Sequence, residues 1–262
     1  MTYLDESLAI ETIVAGAQLA VADPSYEANT GMFGGWSSAL LLKAVMEQSG
    51  EQGSASAMTV NFIDRVIPGE PLKLVVQKLG GTRSLSHWRC DLQRAGTNQL
   101  LATATVVLAN RRESEQACDF SMPVVPSPAA LPLFRPPGVF GQKVDTRGAS
   151  GAPPFNRPDM RSLSWIREDS GRPVDAVQIA LLSDVYAPRV FHISDGPRPS
   201  STVRLAINFL AGPDEMAAIG DDYILAEVEG TRIEQAHVGS QSRLWSPQGS
   251  LLATSEQLCW FK

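Results

Sequence analysis

The sequence predicts an α+β fold made of two tandem copies of one unit, each a single apolar helix wrapped by an antiparallel sheet. Three observations point to it: two helical runs with almost no polar face, a series of strand-like segments after each, and short identities that recur near one offset. Length agrees, because 262 residues exceed the usual size of one domain and accommodate two units of about 100 to 130 residues.

The helical runs are Gly34 to Gln48 (GGWSSALLLKAVMEQ) and Val174 to Tyr186 (VDAVQIALLSDVY). Ala39 to Leu42 with Ala44 to Met46 in the first, and Val174, Ala176, Val177 and Ile179 to Leu182 in the second, leave no room for the polar stripe of a surface helix. Each must be enclosed. After the first come MTVNFI from Met58, LKLVVQKL from Leu72, GTRSLSHWRCDL from Gly81 and LLATATVVLA from Leu100. After the second come VRLAINFL from Val203, YILAEVEGTRIEQA from Tyr223, HVGSQSRLW from His237 and LLATSEQLCW from Leu251. Alternation (Trp88, Cys90, Leu92 against Arg89, Asp91, Gln93) and β-branched content mark these as strands. Gly96-Thr97-Asn98 and Pro247-Gln248-Gly249 supply the turns between the last two strands of each half.

Gly81-Thr82-Arg83 recurs at Gly230-Thr231-Arg232 with an offset of 149, LLAT at 100 recurs at 251 with an offset of 151, and Asn61-Phe62 recurs at Asn208-Phe209 with an offset of 147. Three matches in one order at nearly one offset indicate internal duplication. Between the copies, nine of the 18 prolines fall between Pro123 and Pro158. Proline at that density supplies no ladder donors and continues no helix, so the stretch reads as a linker. The expected organisation is an N-terminal module at 1–115, a Pro-rich linker at 116–160 and a C-terminal module at 161–262. Two layered units whose sheets join edge to edge leave few exposed edges, the arrangement called a double hotdog.

A net charge of -6, a pI near 5.1 and no basic run longer than Arg111-Arg112 argue against a nucleic-acid or anionic-membrane partner. No stretch of about 18 apolar residues occurs, so no membrane span is expected. The N-terminus (MTYLDESLAIET) is acidic and lacks a basic leader segment, and the reading is cytosolic. Cys90, Cys118 and Cys259 are too few and too far apart for a disulfide or zinc framework and read as reduced packing residues.

Asp184 fits its surroundings least, closing the apolar run IALLSD on a helix that must be enclosed. An unpaired buried carboxylate costs on the order of several kcal/mol, so it needs polar partners or a path to solvent as the cap of a nearby loop. At a helix C-terminus it also opposes the helix dipole. Gln257, between LLATSE and LCWF, is similarly placed, unless it lies on the solvated face of its strand. Thr202 opens the strand VRLAINFL. A carboxylate can take a proton from water while an amide and a hydroxyl orient that water, the equipment for hydrolysis without a covalent intermediate. The developing oxyanion needs N–H donors, which Gly34-Gly35-Trp36 at the start of the first helix could offer; alternatively the glycines only make the turn. Such a reaction calls for no metal and no cofactor.

Met32-Phe33-Gly34-Gly35, Leu182-Ser183-Asp184, Thr202 and LLATSEQ ending in Gln257 together resemble the acyl-CoA thioesterase II family of double-hotdog enzymes. The resemblance covers both halves. It implies an acyl-CoA substrate, attack by water oriented by Asp184, Thr202 and Gln257, and a homo-oligomer. Where relatives carry an Asp-His pair and aromatics shortly after the Thr, this chain reads Arg204 to Asn208, so Ser201 is an alternative to Thr202. The repeat offsets place Asp184 opposite Ser37, Thr202 opposite Ala55 and Gln257 opposite Val106, which implies one site rather than two. No histidine lies five residues after an aspartate, as a hydratase of this fold would need, and GxSxG does not occur. The remaining rival is a non-catalytic acyl-ligand binding module on the same fold.

Overall fold

The computed structural model describes residues 1–50 and 53–262. In chain order its elements are α1 (Tyr3–Ser7), β1 (Glu11–Val14), β2 (Ala17–Val21), β3 (Glu27–Ala28), β4 (Gly31–Met32), α2 (Gly34–Ser49), β5 (Ser54–Phe62), β6 (Pro71–Gly81), β7 (Leu85–Arg94) and β8 (Leu100–Ala109). There follow β9 (Leu133–Phe134), β10 (Val144–Ser150), β11 (Arg161–Glu168), α3 (Ala176–Leu182), α4 (Val190–Ile193), β12 (Ser200–Phe209), α5 (Pro213–Ala217), β13 (Ile224–Glu234), β14 (His237–Trp245) and β15 (Leu251–Phe261).

Among the described residues, thirteen strands form one sheet in the order β1-β2-β6-β7-β8-β5-β12-β15-β14-β13-β11-β10-β9, and the pairings along it are antiparallel. Its centre is the β5–β12 seam, where Val60 lies opposite Leu205 and Met58 opposite Ile207, all four side chains buried. Outward from the seam, β8, β7 and β6 on one side answer to β15, β14 and β13 on the other, the order expected of the duplicated segments.

Helix α2 is enclosed as its composition requires. Residues Gly35–Leu42, Ala44 and Val45 are buried, and Lys43 and Glu47, an ion pair, with Gln48 keep the outer face polar. It packs on β5, β6, β7 and β8 and, at its N-terminal turn, against α3. Helix α3 is shorter than expected. Asp175 caps it, accepting a hydrogen bond from the Gln178 N–H at 2.9 Å, and it ends at Leu182 with Ser183 as its C-cap, so Asp184 lies just past that cap.

Three further expectations are corrected. The stretch 116–160 is not a linker throughout, because β9 and β10 fall within it and β10 pairs with β11. Prolines bar pairing only where they stand, and Val144–Ser150 contains none. Strands β1, β2 and β11 precede the helices, so each helix is inserted among strands rather than placed ahead of them. Cys90 and Cys259 are buried thiols, but Cys118 is exposed and is no packing residue. No helix among the described residues is long and apolar enough to cross a membrane.

Candidate active site

Asp184 sits where the C-terminal end of α3 meets the N-terminal turn of α2. Thr202 donates from Oγ1 to its Oδ1 at 3.2 Å, Gln257 donates from Nε2 to the same oxygen, and the Gly35 backbone N–H donates to the carboxylate. Gln257 Nε2 also donates to Thr202 Oγ1 at 2.9 Å, closing a triangle among residues from three elements. Asp184 therefore follows one helix C-terminus but meets the N-terminus of another, which favours rather than opposes its negative charge.

The two glycines are required by close approach. A Cβ on Gly34 would lie 2.5 Å from Asp184 Oδ2, and one on Gly35 would lie 2.2 Å from the Leu181 carbonyl oxygen. Gly34→Ala is expected to push the carboxylate off its three donors and lower kcat by about 10- to 100-fold with the circular dichroism spectrum unchanged. Full activity in that variant would show that the carboxylate is not needed where it stands. At Trp36 the expectation concerned the backbone N–H; its side chain is fully buried and its indole N–H donates to Ser7 Oγ at 3.3 Å, so the side chain itself is a core residue.

Of the two candidate hydroxyls, Thr202 makes the contact and Ser201 is exposed. The reason is a β-bulge. Opposite β15, Thr202 pairs with Cys259 and Arg204 with Leu258, leaving Val203 as the extra residue. Leu205, Ile207 and Phe209 face inward, so unbroken alternation would turn Val203 and Ser201 inward and Thr202 outward. The bulge shifts the phase by one and aims Thr202 at Gln257, which shares the inward face of β15 with Ser255 and Cys259.

Asp184 is partly buried and borders a cavity of about 1040 Å³ that Gly34, Ser37, Phe62, Thr202 and Gln257 also line. Burial pushes its carboxyl up to about 7 from an ordinary 3.8, while hydrogen bonds from Thr202, the Gly35 N–H and Gln257 hold it below the value that burial alone would give. Such a group is part ionised at neutral pH and suited to take a proton from water. Cys259, with Sγ 3.9 Å from Thr202 Oγ1, is pushed up to about 12 by burial and by the Asp184 charge, which leaves no thiolate to act as a nucleophile. The residues following Asp184 are tied down by Tyr186, whose hydroxyl is 3.3 Å from Ser242 Oγ, itself 2.7 Å from Ser255 Oγ. Sequence reasoning missed this chain; its one trace is the pair of small polar residues, Ser240 and Ser242, at inward positions of β14.

An antiparallel sheet curled around a buried helix, with a polar cluster at that helix's N-terminus, defines a hotdog-fold protein. The chain belongs to the acyl-CoA thioesterase family: residues 22–109 match the model of the acyl-CoA thioesterase N-terminal domain and residues 121–261 that of the C-terminal domain. It is accordingly a thioester hydrolase acting on acyl-CoA. Among solved structures, a hotdog-fold protein of unknown function from Alicyclobacillus acidocaldarius is 30% identical with a TM-score of 0.93, over 99% of this chain and 97% of that one. An acyl-CoA thioesterase II, TesB2, from Mycobacterium marinum is 17% identical with a TM-score of 0.80, over 99% and 98%. The tesB protein of Mycobacterium avium subspecies paratuberculosis is 18% identical with a TM-score of 0.81, again over 99% and 98%. At these lower identities the likeness is one of fold. A search of curated proteins by sequence finds no match.

Proposed function

We propose that the enzyme hydrolyses fatty acyl-CoA by direct attack of a water held by Asp184, Thr202 and Gln257, at one site between two tandem hotdog modules. The modules correspond to residues 1–115 and 161–262, with β9 and β10 of the intervening segment extending the one sheet beyond β11. The observation that carries this reading is the meeting of Thr202, Gln257 and the Gly35 N–H on one carboxylate that borders a large cavity. Ionised Asp184 takes a proton from the water as its oxygen bonds to the thioester carbon. The oxyanion is received at the N-terminal turn of α2 by the Gly34 N–H, since that of Gly35 is committed to Asp184. Collapse breaks the carbon–sulfur bond, and Asp184 passes its proton to the departing thiolate, giving the free acid and CoA. The repeat offsets set Ser37 and Val106 against Asp184 and Gln257, and on that reading the first half contributes the helix end and apolar wall.

The test is the pH dependence of kcat/KM, followed by thiol release with saturated acyl-CoAs. Activity is expected to rise with pH through a single ionisation and level off above about 7, because only the ionised carboxyl accepts the proton. A flat profile between pH 5 and pH 8 (the range around that value) would exclude a base of this kind.

A further inference from the structure

Arg189 is 3% exposed, precedes α4 and lines the same cavity as Asp184. Its Nε and one Nη donate to the Ala187 carbonyl at 3.1 and 2.7 Å, and the other Nη donates to Ser162 Oγ at 2.9 Å. These bonds fix the guanidinium plane and leave one N–H on each terminal nitrogen. No carboxylate among the described residues pairs with it, and burial pulls it down to about 10, the mark of a cation whose charge the protein does not neutralise. Three residues on, His192 has no exposed surface and lines the same cavity; its ring nitrogens make no hydrogen bond of full geometry, the Pro188 backbone giving the ring only a weak one. Burial and the neighbouring arginines pull its imidazole down to about 4, so it is neutral and keeps one N–H donor. Asp184, Cys259, Arg189 and His192 all line that one cavity.

We propose that Arg189, with His192 beside it, receives a carboxylate at the far end of the acyl chain, so that the substrates include CoA thioesters of dicarboxylic acids. A buried arginine fork without a protein carboxylate is matched by a planar anion, and an apolar chain between the two ends fits the rest of the lining. The inference rests on the thioesterase reading and names the substrate class of that site. The reaction is the same hydrolysis: water adds to the thioester carbon, the carbon–sulfur bond breaks, and the products are the dicarboxylic acid and CoA.

The experiment compares matched pairs on the full chain: succinyl- against butyryl-CoA, adipoyl- against hexanoyl-CoA, and suberoyl- against octanoyl-CoA. In the wild type the ratio of kcat/KM, carboxylated over plain, is expected to exceed one for at least one pair. In Arg189→Met that ratio is expected to fall by about 10- to 100-fold, the usual effect of losing hydrogen bonds to a charged group. Arg189→Lys, which keeps the charge and loses the fork, is expected to fall in between and serves if the Met variant does not fold. A wild-type ratio below one for every pair, or a ratio that Arg189 substitutions leave unmoved, overturns the inference and leaves the thioesterase reading standing. Hydrolysis of neither series overturns that reading itself.

Discussion

Asp184→Asn is expected to lower acyl-CoA hydrolysis by a factor of at least ~100, the usual consequence of losing a general base. The amide keeps the shape of the carboxyl and its one oxygen can still accept from Thr202 and Gln257, so the fold should survive. Stability should move the other way, in a pH-dependent manner. The native carboxyl titrates at about 7 and the unfolded one at 3.8, so between those values the folded protein holds a proton that the unfolded chain has released. Wild-type stability is therefore lost as pH rises through that window, whereas the neutral amide loses nothing. The variant should match wild type below about pH 4 and exceed it above pH 7, by an amount whose upper limit is ~4 kcal/mol. Thermal melts of both proteins across this range, with thiol release on the same samples, decide the matter. An Asn variant with wild-type turnover removes Asp184 from the chemistry, and one less stable at pH 8 than at pH 4 relative to wild type removes the buried charge.

Trp36→Ala is expected to produce the largest loss of stability, about 3–5 kcal/mol. The indole is fully buried on α2, and truncation leaves a cavity at the centre of the first half and takes away the donor to Ser7. Denaturant unfolding should show a lower midpoint with an unchanged slope. Trp36→Phe keeps most of the volume, so it should retain the wild-type KM for acyl-CoA while still losing stability. A KM raised tenfold in the Phe variant would return Trp36 to the binding site, against its enclosure in the core.

Much of the polar cluster around Asp184 was legible because a carboxylate at the end of an apolar run is conspicuous by its cost. Asp184 and Gln257 stand out for that reason, and the glycines before α2 stand out because a helix opening on two of them has given up propensity for close approach. At Trp36 the sequence speaks only for a backbone N–H in the first helical turn, while helix geometry turns its side chain away into the core. The β9–β10 strands were hidden because proline density was read over a window rather than residue by residue. Arg189 and His192 carried no signal at all, since an arginine in a loop and an isolated histidine are ordinarily solvated.

The chain by itself determined the two apolar helices, the strands that follow each and the acid most in need of partners, because each follows from local composition and period. What only the tertiary structure decided is which groups meet that acid. Whether Ser201 or Thr202 faces Asp184 depends on a single bulged residue, Val203, which inverts the facing of the strand before it. Strand parity flips with every residue added, and where the extra residue falls is set by pairing with β15, fifty-odd positions away, rather than by anything in VRLAINFL. The same holds for the Gly35 N–H: a helix N-terminus is readable from sequence, but what it binds depends on how α2 packs against α3.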